Sequence, residues 1–365
     1  MKKIVLIGLF CLSFIGQFAF AQSEMDLTKQ PLTLNQFLQL VSQNNLEYAA
    51  EKFNIPISEA AVERARIFPD PSISFDWLEN REGGSRTGFG YISEVGTTIE
   101  LGGKRKARIN LAESEQKLTQ ALLDDYFRNL RADAAIVYLE AVKQNQLYEV
   151  KFDSYQTMKK LSEADSIRVS LGSIMKTNAI QSKLEAGILL NELIQAEAER
   201  LNSLSQLNLI AGISKMDTIL FPEMEITENP RLFVLKQLIE TAEQNRADIE
   251  AARYNREVSA NTTNLIRKER KMDLNVRLGL ENDLYIPNNV PGAKIINTGI
   301  GIPLKFSNMN RGDLEMARYY EQQVDKQYAF VLLKIKTEIT EAYHSYISTK
   351  NQVENFKNNL LKQSE

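Results

Sequence analysis

Residues able to do covalent or metal chemistry are scarce in this sequence. The one histidine, His344, stands beside Tyr343 in a helix-forming stretch, and the one cysteine, Cys11, lies inside an apolar N-terminal run. A single imidazole without thiols cannot complete a tetrahedral nitrogen and sulfur shell, so no metal site is expected. No nucleophile, base and orienting group cluster, and no glycine-rich phosphate loop follows a buried parallel strand. Glu192, Glu197 and Glu199 read as the solvated side of a helix. We therefore expect neither an enzyme nor a cofactor.

A different use of charge appears in four alternating segments. Ile73, Phe75 and Trp77 alternate with Ser72, Ser74 and Asp76; Phe89, Tyr91, Val95, Ile99 and Leu101 oppose Gly90, Glu94, Thr98 and Glu100. Farther on, Leu274, Val276, Leu278 and Leu280 oppose Asn275, Arg277, Gly279 and Glu281, and Ile296, Ile300, Ile302 and Leu304 oppose Asn297, Gly299 and Gly301. A period of two predicts strands with one apolar and one polar face, near the ~9 to 11 residues that cross a bilayer when tilted. Asp76, Glu94, Glu100, Arg277 and Glu281 are then expected to line a water-filled pore, with Trp77, Tyr91, Val276 and Ile300 facing lipid. Two hairpins cannot close a barrel alone, because their edges would stay unpaired in hydrocarbon. Several chains must contribute.

Long helices must carry these hairpins. All nine prolines lie outside Ser72 to Phe221 and Leu304 to Glu365, and glycine is absent from Lys104 to Leu171. That stretch predicts one helix of roughly 100 Å at 1.5 Å per residue. Leu123, Phe127, Leu130, Ala134, Val137 and Ala141 have coiled-coil seam spacing. Adding 205 to each number gives Tyr328, Leu332, Ile335, Ile339, Ala342 and Tyr346; upstream, an offset of 201 maps Gln43-Asn44 onto Gln244-Asn245. The chain thus reads as a duplication: a first repeat over 22–212 with a β-hairpin at 72–101 and a helical hairpin at 104–211, a linker at 213–230, and a second repeat over 231–365 with a β-hairpin at 274–304 and a long helix at 310–365.

Before the repeats, Lys2 and Lys3 precede an apolar run ending in Ala19-Phe20-Ala21, which predicts a signal peptide over 1–21 and export. Its removal takes 44 basic residues to 42 against 47 acidic ones, a net charge of -5, which argues against nucleic acid as a partner.

Phe68-Pro69-Asp70-Pro71 before the first strand, Val95-Gly-Thr-Thr-Ile-Glu-Leu-Gly-Gly-Lys-Arg105, Ile300-Gly-Ile-Pro-Leu304 and Asn310-Arg311-Gly312 occur in order across the two repeats. With them the sequence resembles the TolC-type outer membrane factor family over essentially the whole mature chain, and the Glu100 to Arg105 form is most like its heavy-metal cation efflux branch. The resemblance implies a mixed α and β membrane protein. It would be a homotrimer in which each protomer gives four strands to an outer membrane β-barrel and helical hairpins to a periplasmic α-barrel. It implies a passive exit duct served by a periplasmic adaptor and an inner-membrane pump of the resistance-nodulation-division or ABC type. Pro69, Pro71, Gly102, Gly103, Lys104 and Arg105 would form the strand-to-helix transition. Lys104, Arg105, Lys106 and Arg108 would there meet lipid head groups, or form a solvated first helical turn. Arg168, Leu171, Gly172 and Ser173 are similar to the family's periplasmic tip, which docks the adaptor.

Two alternatives stay open at this point: a duct for type I protein secretion, and a periplasmic coiled-coil structural or adaptor protein. The repeat also sets an expectation about the end of the chain. Ala211 plus 205 is position 416, about 50 residues past Glu365, so the second tip and returning helix would lie beyond the sequence, and the seam from Tyr328 to Tyr346 would lack that partner.

Overall fold

The structure, a computed structural model, describes residues 28–82, 85–213, 218–223, 231–285, 293–304 and 311–357. The expected signal segment, the turn from Pro287 to Gly292, Asn310, much of the 213–230 linker and the last residues of the expected final helix lie outside the described residues.

The first half runs β1 (Thr28–Leu32), α1 (Leu34–Asn44), α2 (Leu46–Lys52), α3 (Asn54–Arg66), β2 (Ser72–Glu82), β3 (Ser85–Ile99), α4 (Lys104–Ser170) and α5 (Lys176–Ile210). The second runs β4 (Thr218–Pro222), α6 (Leu235–Asn245), α7 (Ala247–Glu269), β5 (Leu274–Tyr285), β6 (Lys294–Gly301) and α8 (Arg311–Asn355). The hairpins span 72–99 and 274–301, against the expected 72–101 and 274–304, and the long helices are α4, α5 and α8. Strands β1 and β4 were not foreseen, and β4 occupies part of the expected linker.

Contacts divide the chain into two compact units, residues 1–41 with 134–225 and residues 42–133 with 226–365. They cut across the sequence repeats, because hairpins of both repeats share one sheet.

In the first unit, β1 and β4 pair in parallel from Thr28↔Thr218 to Leu32↔Pro222. The Tyr138 hydroxyl lies 2.8 Å from the Leu32 carbonyl and 2.6 Å from that of Glu223, so one phenol ties down the ends of both strands. Its ring packs on Phe37 at 5.6 Å, and Val41, Ala134, Ala141, Leu204, Leu207, Ala211 and Leu220 are buried with it. Thr33 and Gln36 cap α1 reciprocally: Thr33 N–H donates to the Gln36 side chain and Gln36 N–H to the Thr33 hydroxyl.

In the second unit, α7 lies along α8, joined by Arg256 to Asp325 at 2.7 Å, while Lys336 reaches Glu243 of α6 at 2.9 Å. Ile335 and Val324 are buried. The α8 seam, expected to lack a partner, is therefore partly covered from within its own repeat. The same unit holds a four-stranded antiparallel sheet of order β2-β3-β5-β6. Among the described residues no helix is long and apolar enough to cross a membrane.

Candidate functional site

The register of the sheet settles which side chains share a face. Ile73 opposes Val95 and Trp77 opposes Tyr91 on β2 and β3; Val95 opposes Leu278 on β5, and Val276 opposes Ile300 on β6. These apolar residues share one side, and Phe75, Trp77, Ile296 and Ile300 are strongly exposed there. Ser74 opposes Glu94, Glu94 opposes Gly279, Gly96 opposes Arg277 and Ile92 opposes Glu281, so Asp76, Glu94, Arg277 and Glu281 lie together on the other side. Polar contacts knit that side: Arg277 to Glu94 at 3.7 Å, Asn297 donating to Glu281 at 3.0 Å and Thr98 donating to Asn275 at 2.8 Å. The sheet has an apolar face open to its surroundings and a hydrogen-bonded polar face. Among the described residues, outer strands β2 and β6 each keep one edge without a partner in the sheet.

Where β3 becomes α4, the basic cluster does something other than expected. Lys104 is buried, with its ammonium 2.6 Å from Asp273, and Asp273 also accepts the Leu101 N–H at 3.2 Å. Arg108 grips both oxygens of Glu100 at 2.7 and 3.0 Å and reaches the carbonyls of Ala65 and Ile67. The hydrogen bond to Glu100 holds the Arg108 pKa above its ordinary value, against the opposing effect of burial. Arg105 donates to the Arg66 carbonyl at 2.7 Å and lies over the Phe68 ring.

These bonds correct two expectations. Lys104, Arg105 and Arg108 are internal clamps rather than head-group anchors or a solvated turn; only Lys106 of the four is exposed. Glu100 lies past the end of β3 in the grip of Arg108, so it belongs to the joint and not to the polar face.

The clamps bind three chain junctions into one body: the end of α3, the entry to α4 and the entry to β5 at Asp273. Gly102 and Gly103 make the bend at φ of 74° and 76°. A Cβ on Gly102 would come within 2.5 Å of Lys271 Cγ and 2.7 Å of its Cβ. Pro69 and Pro71 stand in the segment between α3 and β2. Asp273 was missed, because it stands 169 residues from its partner Lys104 and nothing local marks it.

The hairpin tip between α4 and α5 is a tight helix reversal. Gly172 has φ of 71°, Ser173 N–H donates to the Arg168 carbonyl at 2.9 Å, and Gly172 N–H to that of Val169 at 3.0 Å. This double bond pattern ends a helix on a left-handed glycine. It leaves Ile167, Leu171 and Met175 exposed around the turn.

No protein-family model matches the chain. It is 25% identical over 303 residues to the cobalt-zinc-cadmium resistance protein CzcC of Cupriavidus metallidurans, spanning 82% of this chain and 69% of that protein. Among solved structures, CusC superposes with a TM-score of 0.70 at 14% identity over 90% of this chain and 79% of CusC. The outer membrane protein VceC of Vibrio cholerae gives 0.68 at 17% identity, over 90% and 82%. The chain has the fold of these outer membrane channels and is similar in sequence to CzcC. In this chain Gly102, Gly103, Lys104 and Arg105 meet at one joint, and Asp76, Glu94, Arg277 and Glu281 share one face of the sheet.

Proposed function

We propose that this protein is a TolC-type outer membrane factor, the exit duct of a tripartite efflux system that passes cargo from a periplasmic adaptor and an inner-membrane pump to the exterior. One observation carries the reading: a four-stranded sheet with an exposed apolar face, a polar face and two open edges. Such a sheet is stable in hydrocarbon only if its edges are paired, and edge strands β2 and β6 suit pairing between copies. Three copies give a twelve-stranded barrel, with the apolar face on lipid and Asp76, Glu94, Arg277 and Glu281 on the lumen. A conduit of this kind needs weak contacts along its wall and no catalytic group. Heavy-metal cations are the proposed cargo, on the likeness to CzcC. The exposed Ile167, Leu171 and Met175 around Gly172 suit the apolar docking of an adaptor hairpin at the tip.

Outer membrane fractionation with chemical crosslinking tests the reading. A trimer in the outer membrane, and loss of cobalt or zinc tolerance when the gene is deleted, are the expected results. A protein found only as a monomer in the soluble periplasm would overturn it. For the tip, Gly172→Trp should abolish tolerance while the trimer still forms, and normal tolerance at unchanged membrane levels would remove the docking role.

A further inference from the structure

The polar face has a relief that alternation alone does not require. In one cross-strand row, Arg277 has glycine on both sides, Gly96 on β3 and Gly299 on β6. A Cβ at Gly96 would meet Arg277 Cγ at 3.4 Å, and one at Gly299 would meet its Nε at 3.6 Å, so the side chain lies down over the floor that the two glycines leave. Its guanidinium leans to Glu94, 3.7 Å away in the adjoining row. There Glu94 opposes Gly279, whose own Cβ would stand 3.7 Å from that of Glu94. One row farther, Asp76, Ile92, Glu281 and Ile295 stand abreast, and no cation is in register with the two carboxylates. The face therefore has a neutral tier, Arg277 with Glu94 on a glycine bed, next to an acidic tier.

We propose that Arg277 determines the charge preference of the duct: by neutralising Glu94 it keeps the two tiers from acting together as a trap for cations. The inference rests on the polar face being the lumen, as read above. A conducting wall must attract an ion enough to admit it and hold it weakly enough to release it. The acidic tier supplies the attraction, with Asp76 and Glu281 unopposed in their row. Had Glu94 also been unopposed, two adjoining tiers of carboxylates in each copy would hold a divalent cation from several directions. Arg277 prevents this while lying flat, so the lumen stays wide at its level. Its guanidinium remains about half exposed, 55% of the side chain, within reach of passing ions.

Purified protein in planar bilayers tests the proposal through the reversal potential under a potassium chloride gradient and through block by added zinc chloride. Arg277→Gln should raise the cation-to-anion permeability ratio about two-fold or more and lower the zinc concentration that blocks current, because the local field becomes more negative. Arg277→Lys should stay near wild type, and Arg277→Gln combined with Glu94→Gln should return toward it, a reversal that simple damage to the barrel does not produce. Ser74→Cys, on the Glu94 row, separates the two claims. If an impermeant thiol reagent fails to reach it, the lumen reading is wrong. If the reagent reaches it and Arg277→Gln leaves both reversal potential and zinc block unchanged, Arg277 has no part in selectivity.

Discussion

Gly102 and Gly103 are neighbours with the same backbone sign, yet the surrounding atoms give them different burdens. Gly103 has no atom within 4 Å of where a Cβ would stand, whereas the same atom on Gly102 would overlap Lys271. Gly103→Ala should therefore cost only the left-handed penalty, roughly 1–2 kcal/mol. Gly102→Ala should cost more, since the β5 entry must shift as well, and thermal unfolding of the two variants side by side checks the order. The double glycine was legible from sequence, but the asymmetry was not, because Lys271 enters only through the fold. Tyr126 carries a second residue-scale prediction. Burial, then the hydrogen bond it donates to Glu47, pushes its phenol up to about 12. The folded state thus keeps the proton through a range where the unfolded chain, with an ordinary tyrosine pKa of about 10, loses it. This stabilisation is fully present below pH 10 and is lost as pH rises toward 12. Tyrosinate absorbance should show a late-titrating component, and Tyr126→Phe should diminish it along with that part of the alkaline loss of stability.

Helices α1 and α6 are the same element twice, each of eleven residues and ending in Gln-Asn, and they meet different fates. The first buries Phe37 and Val41; the positions 201 later, Leu238 and Ala242, are only half-buried, and α6 has no buried residue. Around α1, the pair β1 and β4 and the end of α5 close the core. Around α6 there is instead a cavity of about 670 Å³ lined by Phe233, Leu238, Ile339, Tyr343 and Tyr346 among others. Periodicity could find both helices, since it reports a stripe that needs cover. It could not tell which stripe is covered, because β4 is a five-residue strand whose parallel partner stands 190 positions away. Amide exchange should follow burial and not sequence likeness, as opening free energy tracks buried contacts. Amides of α1 should exchange more slowly than those of α6, read by mass spectrometry on peptides from each helix; equal protection would mean that something closes the cavity in solution.

At the scale of the molecule, hairpins from the two repeats meet as β3 and β5, so neither repeat owns the sheet. That pairing was not legible, since alternation fixes faces within a strand and says nothing about which strand lies beside which. The faces themselves were legible, and for a physical reason: a sheet between hydrocarbon and water must sort every second residue, so the pattern survives without knowledge of its neighbours. Glu100 escaped the sorting because it lies just past the strand, where alternation no longer reports a face. The sorting makes a prediction that sets two equal chemical insults against each other. Val276 and Ser74 both stand within strands, Val276 on the apolar face between Thr97 and Ile300, and Ser74 on the polar face beside Glu94. An arginine on the lipid side of a barrel costs about 2–4 kcal/mol near the bilayer midplane, whereas on the lumen side it meets water. Val276→Arg should therefore reduce the amount of assembled protein in the outer membrane, and Ser74→Arg, with the same added charge and bulk, should leave that amount nearly unchanged. Quantifying both variants in outer membrane fractions decides between faces: equal losses would mean that the two sides of the sheet do not see lipid and water respectively.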